Sequence, residues 1–240
     1  MPSRLSPAIP LLALVLAPAA HAAQAPAARD AAGQPVSWIA ELRAATLARA
    51  APRPTAAPVA LLDPRQDWTR RSAYRVTGWR MRDDGTPAWV RVQLPVRPNG
   101  AQGWLPGRYV RLSATRLHLE ADLSQRRLDV MRGTRLVRRL RAGIGRPGHP
   151  TPTGTFAVQA RVATAGRVRH TYGPRILALT AFPVPMVYLD GGPAQVAIHG
   201  TGDPSRVGRA TSLGCLVVRN ADVRWLARVA VPGVPVTVRA

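Results

Sequence analysis

The chain of 240 residues carries 34 Lys+Arg, all of them arginine, against 12 Asp+Glu, for a formal charge of +22, which calls for a polyanionic neighbour of some kind. With 46% hydrophobic residues it is too apolar for a disordered tail, and its 24 prolines and 20 glycines favour turns and short strands over long helices. A single cysteine, Cys215, excludes an internal disulfide framework and any multi-cysteine zinc or iron–sulfur site.

Residues 1–22 read as a signal peptide. Arg4 precedes an apolar run from Ala8 to Ala20, and Ala20-His21-Ala22 is a small-x-small cleavage pattern. The run is broken by Pro10 and Pro18 and falls short of the ~20 residues of a membrane span. The expectation is cleavage after Ala22 or Ala23, no transmembrane anchor afterwards, and a location in the periplasm or cell wall space. Export argues strongly against a nucleic-acid partner, the last of the rival readings, and leaves anionic envelope polymers to meet the positive charge.

Residues 23–59 form an Ala/Pro-rich linker. Within it, Ser37 is placed to cap a short helix carrying Trp38, Ile39, Leu42 and Leu47. From 60 to 113 the pattern becomes short strands. Val90, Val92 and Leu94 alternate with Arg91 and Gln93, the turn Pro98-Asn99-Gly100 follows, and Gly103-Trp104-Leu105-Pro106 opens the next strand. The run TPAWVRVQLPVRPNGAQGWLPGRYVRL resembles a bacterial SH3-like barrel of wall proteins, a module that holds a wall substrate or packs on its neighbour. It contains no catalytic constellation.

Residues 114–240 are again mostly strand. Leu128 and Val130 share one strand, Gly133-Thr134 turns the chain, and Phe156, Val158, Ala160 and Val162 alternate along another. Val196-Ala197-Ile198 leads directly into His199. Asn220 is placed to cap a helix with Asp222 in its first turn, and Val234, Val236 and Val238 form a closing strand. Gly143 to Gly148 spells GxGxxG, but Pro147, Pro150 and Pro152 forbid the helix that a dinucleotide site needs there, so it reads as a strand end and loop.

Cys215 is the informative residue. It ends Thr211-Ser212-Leu213-Gly214-Cys215, and His199 lies sixteen positions upstream. A thiol with an ordinary pKa of ~8.5 needs a base or a positive field to act as a thiolate, and a neighbouring imidazole supplies it. The imidazole in turn needs an acceptor for its other N–H, for which the Ser212 carbonyl is a candidate.

The run IHGTGDPSRVGRATSLGC resembles the active-site signature of the L,D-transpeptidases, the YkuD-type domain of wall synthesis. LDVMRGTRLVRRLRAGIGRPGHPTPTGTF and GPRILALTAF resemble the first hairpin and a following strand of the same domain, so the likeness covers 114–240. It implies a mainly β chain: an SH3-like barrel at 60–113, then a β-sandwich or barrel with one or two short helices. It also implies an acyl transfer on peptidoglycan stem peptides. Cys215 attacks the bond before the terminal D-Ala of a tetrapeptide, His199 moves the proton, and an amine of a second stem resolves the thioester to a 3→3 cross-link. Ser212 and Gly214 complete the catalytic set, with the Gly214 and Cys215 N–H groups as oxyanion donors. Gly200, Thr201, Tyr172 and Arg219 are candidate substrate contacts, Tyr172 from a lid spanning His170 to Gly173, and no metal or organic cofactor is required. An L,D-carboxypeptidase, a protein-to-wall tethering enzyme and a non-catalytic peptidoglycan-binding protein are the alternatives. One departure stands out: where the family often has an arginine two positions after the cysteine, this chain has Val217, and Arg219 is the candidate replacement.

Overall fold

The computed structural model describes residues 28–65, 72–189 and 192–240; the signal-peptide reading of 1–22 lies outside these. The described residues build two eight-stranded sheets, each with its own core.

The first sheet contains β1 (Ala28–Arg29), β2 (Pro35–Leu42), β3 (Thr46–Arg49), β4 (Pro58–Leu62), β5 (Ala73–Met81), β6 (Pro87–Gln93), β7 (Gln102–Pro106) and β8 (Val110–Thr115). Its order is β1-β2-β5-β6-β7-β3-β4, with β8 on the other side of β2. The helix expected between Ser37 and Leu47 is instead strand, and the stretch expected to be a linker from Ala28 on belongs to the sheet. Ala40 and Leu42 enter the core of this sheet, while Ile39 enters the core of the second unit. A strand presents successive side chains to opposite faces, so β2 can serve two cores at once, which a helix with a single apolar stripe cannot.

The second unit contains β9 (Leu117–Asp122), β10 (Arg127–Arg132), β11 (Arg135–Arg141), β12 (Ile144–Gly145), β13 (Gly154–Ala163), α1 (Gly166–Tyr172), β14 (Arg175–Leu179), β15 (Tyr188–Leu189), β16 (Gly192–Pro193), β17 (Ala197–His199), β18 (Ala210–Ser212), β19 (Leu216–Val217), α2 (Asn220–Val229) and β20 (Pro235–Arg239). Its main sheet runs β11-β10-β9-β20-β13-β14-β17-β19. Mostly strand with short helices is the class the sequence implied. The GxGxxG run makes β12 and a turn and starts no helix.

Helix α2 covers one face of this sheet. Val223 and Leu226 pack with Leu177, Ile198 and Leu216, all at most fractionally exposed. Its first-turn Asp222 binds Arg138 at 2.6 Å, and that guanidinium lies over the Trp225 ring. Asn220 does not cap the helix as expected: Arg219 is the capping residue, through backbone alone, and the Asn220 side chain is committed elsewhere. Among the described residues no helix is long and apolar enough to cross a membrane.

The two units are pinned together beside the site. Asn99 donates from Nδ2 to the Phe182 carbonyl (2.9 Å) and accepts the Phe182 N–H at Oδ1 (2.8 Å). Arg97 donates to the Pro183 carbonyl at 2.9 Å and lies over the Phe182 ring. Gln93 donates to the Thr155 carbonyl at 2.8 Å.

Candidate active site

The strand register builds the floor of a cavity of about 550 Å³. Val162 pairs with Ile176 and Ile176 with His199; Ala160 pairs with Ala178 and Ala178 with Ala197. Paired residues share a face, so these two rows line the face opposite α2. Strand β19 runs parallel to β17 with Ile198 opposite Leu216, which sets Cys215 beside Ala197 and diagonal to His199 on that same face. Both His199 and Cys215 line the cavity. A bulge between Val158 and Ala160 brings Gln159 onto the cavity side as well.

His199 is 2% exposed, and its Nδ1 lies 2.5 Å from the Gly200 carbonyl oxygen. The acceptor is therefore Gly200, not the Ser212 carbonyl, which receives the Arg146 N–H at 2.9 Å. A carbonyl only accepts, so Nδ1 must carry the proton and Nε2 of the neutral ring keeps its lone pair. Burial pushes the imidazole down to about 4, opposed by the Gly200 bond and reinforced by the positive charge of Arg206. The Tyr172 ring stands edge-on to the imidazole with centroids 4.9 Å apart.

The loop behind His199 is held by Asn220. Its Oδ1 accepts the Thr201 N–H (3.0 Å) and its Nδ2 donates to the Thr201 carbonyl (2.9 Å). Two glycines permit this closeness. A Cβ at Gly173 would fall 2.3 Å from Asn220 Oδ1 and 2.6 Å from the Gly200 Cα, and one at Gly200 would fall 2.2 Å from the same Oδ1. The end of α1 docks on this loop where the Gly202 N–H donates to the His170 carbonyl at 2.8 Å.

Cys215 is half-buried at the cavity wall. Ser212 fixes its turn: the hydroxyl donates to the Cys215 carbonyl at 2.7 Å and accepts the Gly214 N–H at 3.1 Å. Gly214 sits at φ +115°, a conformation that admits little but glycine. Burial pushes the thiol up, while a backbone hydrogen bond at Ala197 and the charge of Arg206 pull it back toward the thiolate. The cavity walls are largely apolar, with Val168, Pro183, Val187 and Leu213 among them.

The family model of the L,D-transpeptidase (YkuD) catalytic domain matches residues 116–238, from β9 to β20. The chain belongs to the L,D-transpeptidase family. It is similar to the putative L,D-transpeptidases YkuD of Bacillus subtilis, 26% identical over 50% of this chain and 65% of that protein, and of Bacillus licheniformis, 28% identical over 50% and 64%. It thus spans slightly under two thirds of the curated relatives it matches. Among solved structures it is similar to Bd1075 of Bdellovibrio bacteriovorus, at TM-score 0.42 and 23% identity over 52% of this chain and 48% of that one.

Within this L,D-transpeptidase domain, Cys215, His199, Ser212 and Tyr172 line the cavity. Gly200, Thr201 and Gly214 stand behind it as supports, and Arg219, exposed at the head of α2, is not among the lining residues. The Gly214 N–H, expected as an oxyanion donor, is taken by the Ser212 hydroxyl. Val217 is fully buried opposite His199 and bridged to Gly143. Sequence reasoning missed Arg206, from the short 3-10 turn Pro204–Arg206, and the clamping role of Asn220. The only sequence signal for Arg206 was its position inside the His-to-Cys run. Among the described residues no group of three or more His, Cys, Asp or Glu could hold a metal.

Proposed function

We propose that this chain is an exported peptidoglycan L,D-transpeptidase working through a Cys215 thioester on stem tetrapeptides. One observation carries the reading: Cys215 and His199 lie diagonally on one cavity face, with the imidazole held as the Nδ1–H tautomer.

At neutral pH both groups rest uncharged, the thiol raised and the imidazole lowered to about 4. When a donor stem enters, Nε2 of His199 takes the thiol proton as sulfur bonds to the carbonyl carbon. The oxyanion is met by the Cys215 N–H, since the Gly214 N–H serves Ser212. The C–N bond then breaks and His199 Nε2 passes its proton to the departing amine of D-Ala, leaving the thioester. An imidazolium whose pKa is near 4 gives that proton up readily. The side-chain amine of a second stem, deprotonated by Nε2, attacks the thioester; the thiolate leaves and recovers the proton, giving a 3→3 link. Arginine surfaces would hold the chain on anionic wall polymers, more weakly at high salt. In this reading residues 1–22 direct export. The first sheet, read from sequence as SH3-like over 60–113, braces the cleft through Asn99 and Arg97.

The test is intact mass of the mature protein after incubation with a disaccharide-tetrapeptide, beside Cys215→Ala. Adduct on the wild type alone, followed by cross-linked dimer when acceptor stem is added, is the expected result. Tripeptide in place of dimer would make water the acceptor and the enzyme an L,D-carboxypeptidase. A folded wild type with a free thiol and no adduct would refute the acyl-enzyme.

A further inference from the structure

Arg206 is the one charged side chain among the described residues lining the cavity. Its surroundings there are mainly apolar: Val162, Val168, Ile176, Pro183, Val187 and Leu213. Such walls exclude water and strengthen any ion pair formed inside them. The acid nearest it in sequence, Asp203, accepts the Ser205 N–H at 3.0 Å and caps the 3-10 turn, and its carboxylate also feels the charges of Arg206 and Arg209 from outside the cavity lining. Arg206 thus brings a positive charge to the cavity lining, and an arginine fork matches a carboxylate in two parallel hydrogen bonds. The backbone around it is well fixed, since the Arg209 N–H donates to the Arg206 carbonyl at 3.1 Å and Gly143 packs closely on that carbonyl.

The position is as informative as the charge. Arg206 lines the same cavity as Cys215, His199 and Tyr172, and its charge acts on all three. A carboxylate bound by it would share the cavity with the carbonyl that Cys215 attacks. In a peptide donor the group that satisfies this is the α-carboxylate of the residue leaving, two bonds beyond the scissile nitrogen. An internal peptide bond would place an uncharged amide there and leave the arginine unpaired in an apolar site.

We infer that Arg206 is the specificity-determining residue of the acyl donor, binding the C-terminal carboxylate of the leaving residue so that only the last peptide bond of a stem is presented to Cys215. This rests on the donor chemistry proposed above. It also gives the missing arginine at Val217 a counterpart from another element of the same signature, in place of the exposed Arg219.

The experiment uses the Cys215→Ala protein, which holds a donor without turnover, and calorimetric titration with two ligands: a stem tetrapeptide and the same peptide as its C-terminal carboxamide. The free carboxylate is expected to bind about 10- to 100-fold more tightly, the range of a charge-assisted hydrogen-bonded pair. Adding Arg206→Gln should bring the two affinities within about twofold, and Arg206→Lys should keep part of the preference. Equal affinities for both ligands, or a preference that survives Arg206→Gln, would overturn the assignment while leaving the donor reading intact. Binding of neither ligand would overturn the donor reading, and this inference with it. In the active enzyme the same contrast should appear as a faster acylation by the free acid that Arg206→Gln abolishes.

Discussion

Because His199 is buried and uncharged, folding stability should carry its signature on the acid side. The imidazole falls from 6.5 to about 4 on folding, mainly through burial. Between those values the unfolded chain binds a proton that the folded chain refuses, so stability is whole above pH 6.5 and lost as pH falls through the folded value. At 1.36 kcal/mol per pH unit, the drop from 6.5 to about 4 amounts to about 3 kcal/mol. About 2 kcal/mol of it should already be gone at pH 5. The perturbation is His199→Gln, which keeps a donor for the Gly200 carbonyl and removes the titration. Urea unfolding of both proteins would be followed at about pH 7.5, 6 and 4.5. Asp84, Asp122 and Asp129, whose carboxyls are held below 3.8 by hydrogen bonds and arginines, contribute equally to both chains and cancel in the difference. The wild type should lose its stability relative to the variant steadily below pH 6.5. Two curves that stay parallel from neutral pH to 4.5 would refute a buried neutral imidazole, and with it the tautomer argument. By the same reasoning the acid limb of acylation should sit well below 6.5.

Ser212→Ala removes the hydroxyl that joins the Gly214 N–H to the Cys215 carbonyl, and should cost about 1–3 kcal/mol in urea unfolding and slow adduct formation. A serine-less variant with wild-type acylation would show that the turn holds itself. Gly173→Ala forces a Cβ to 2.6 Å from the Gly200 Cα at φ +67°, and should destabilise by about 1–3 kcal/mol while displacing the Asn220 clamp; thermal unfolding and acylation rate report both. Asn99→Ala strips both hydrogen bonds from Phe182, next to the Pro183 wall. It should raise the KM for a donor stem more than it lowers kcat, with Asn99→Asp, which keeps only the acceptor, intermediate. An unchanged KM would mean that the wall stands without the first sheet.

Much of the second unit could be read from local pattern. The alternation at Phe156 and Val158 and at Val236 and Val238 gave strands because period two is a property of consecutive residues, with Val234 just ahead of the last strand and Ala160 moved to the other face by the bulge. That Cys215 and His199 could share a site was suggested by their spacing, their residue types and the likeness to the family signature, and both line one cavity. Three things were not visible, each for the same reason. Trp38 to Leu47 fits a helical stripe, yet becomes strand because two cores lie on either side of β2. Asn220 looks like a helix cap, but the Thr201 backbone, brought up by β17, claims its amide. Arg206 reads as one of many surface arginines until the turn after Asp203 carries it to the lining of the cavity that also holds Cys215. The chain's own order decides which residues alternate and which chemistry is available. Which backbone carbonyl meets an imidazole, and which of its arginines lines the cavity of the thiol, depends on contacts between distant segments that only close packing supplies.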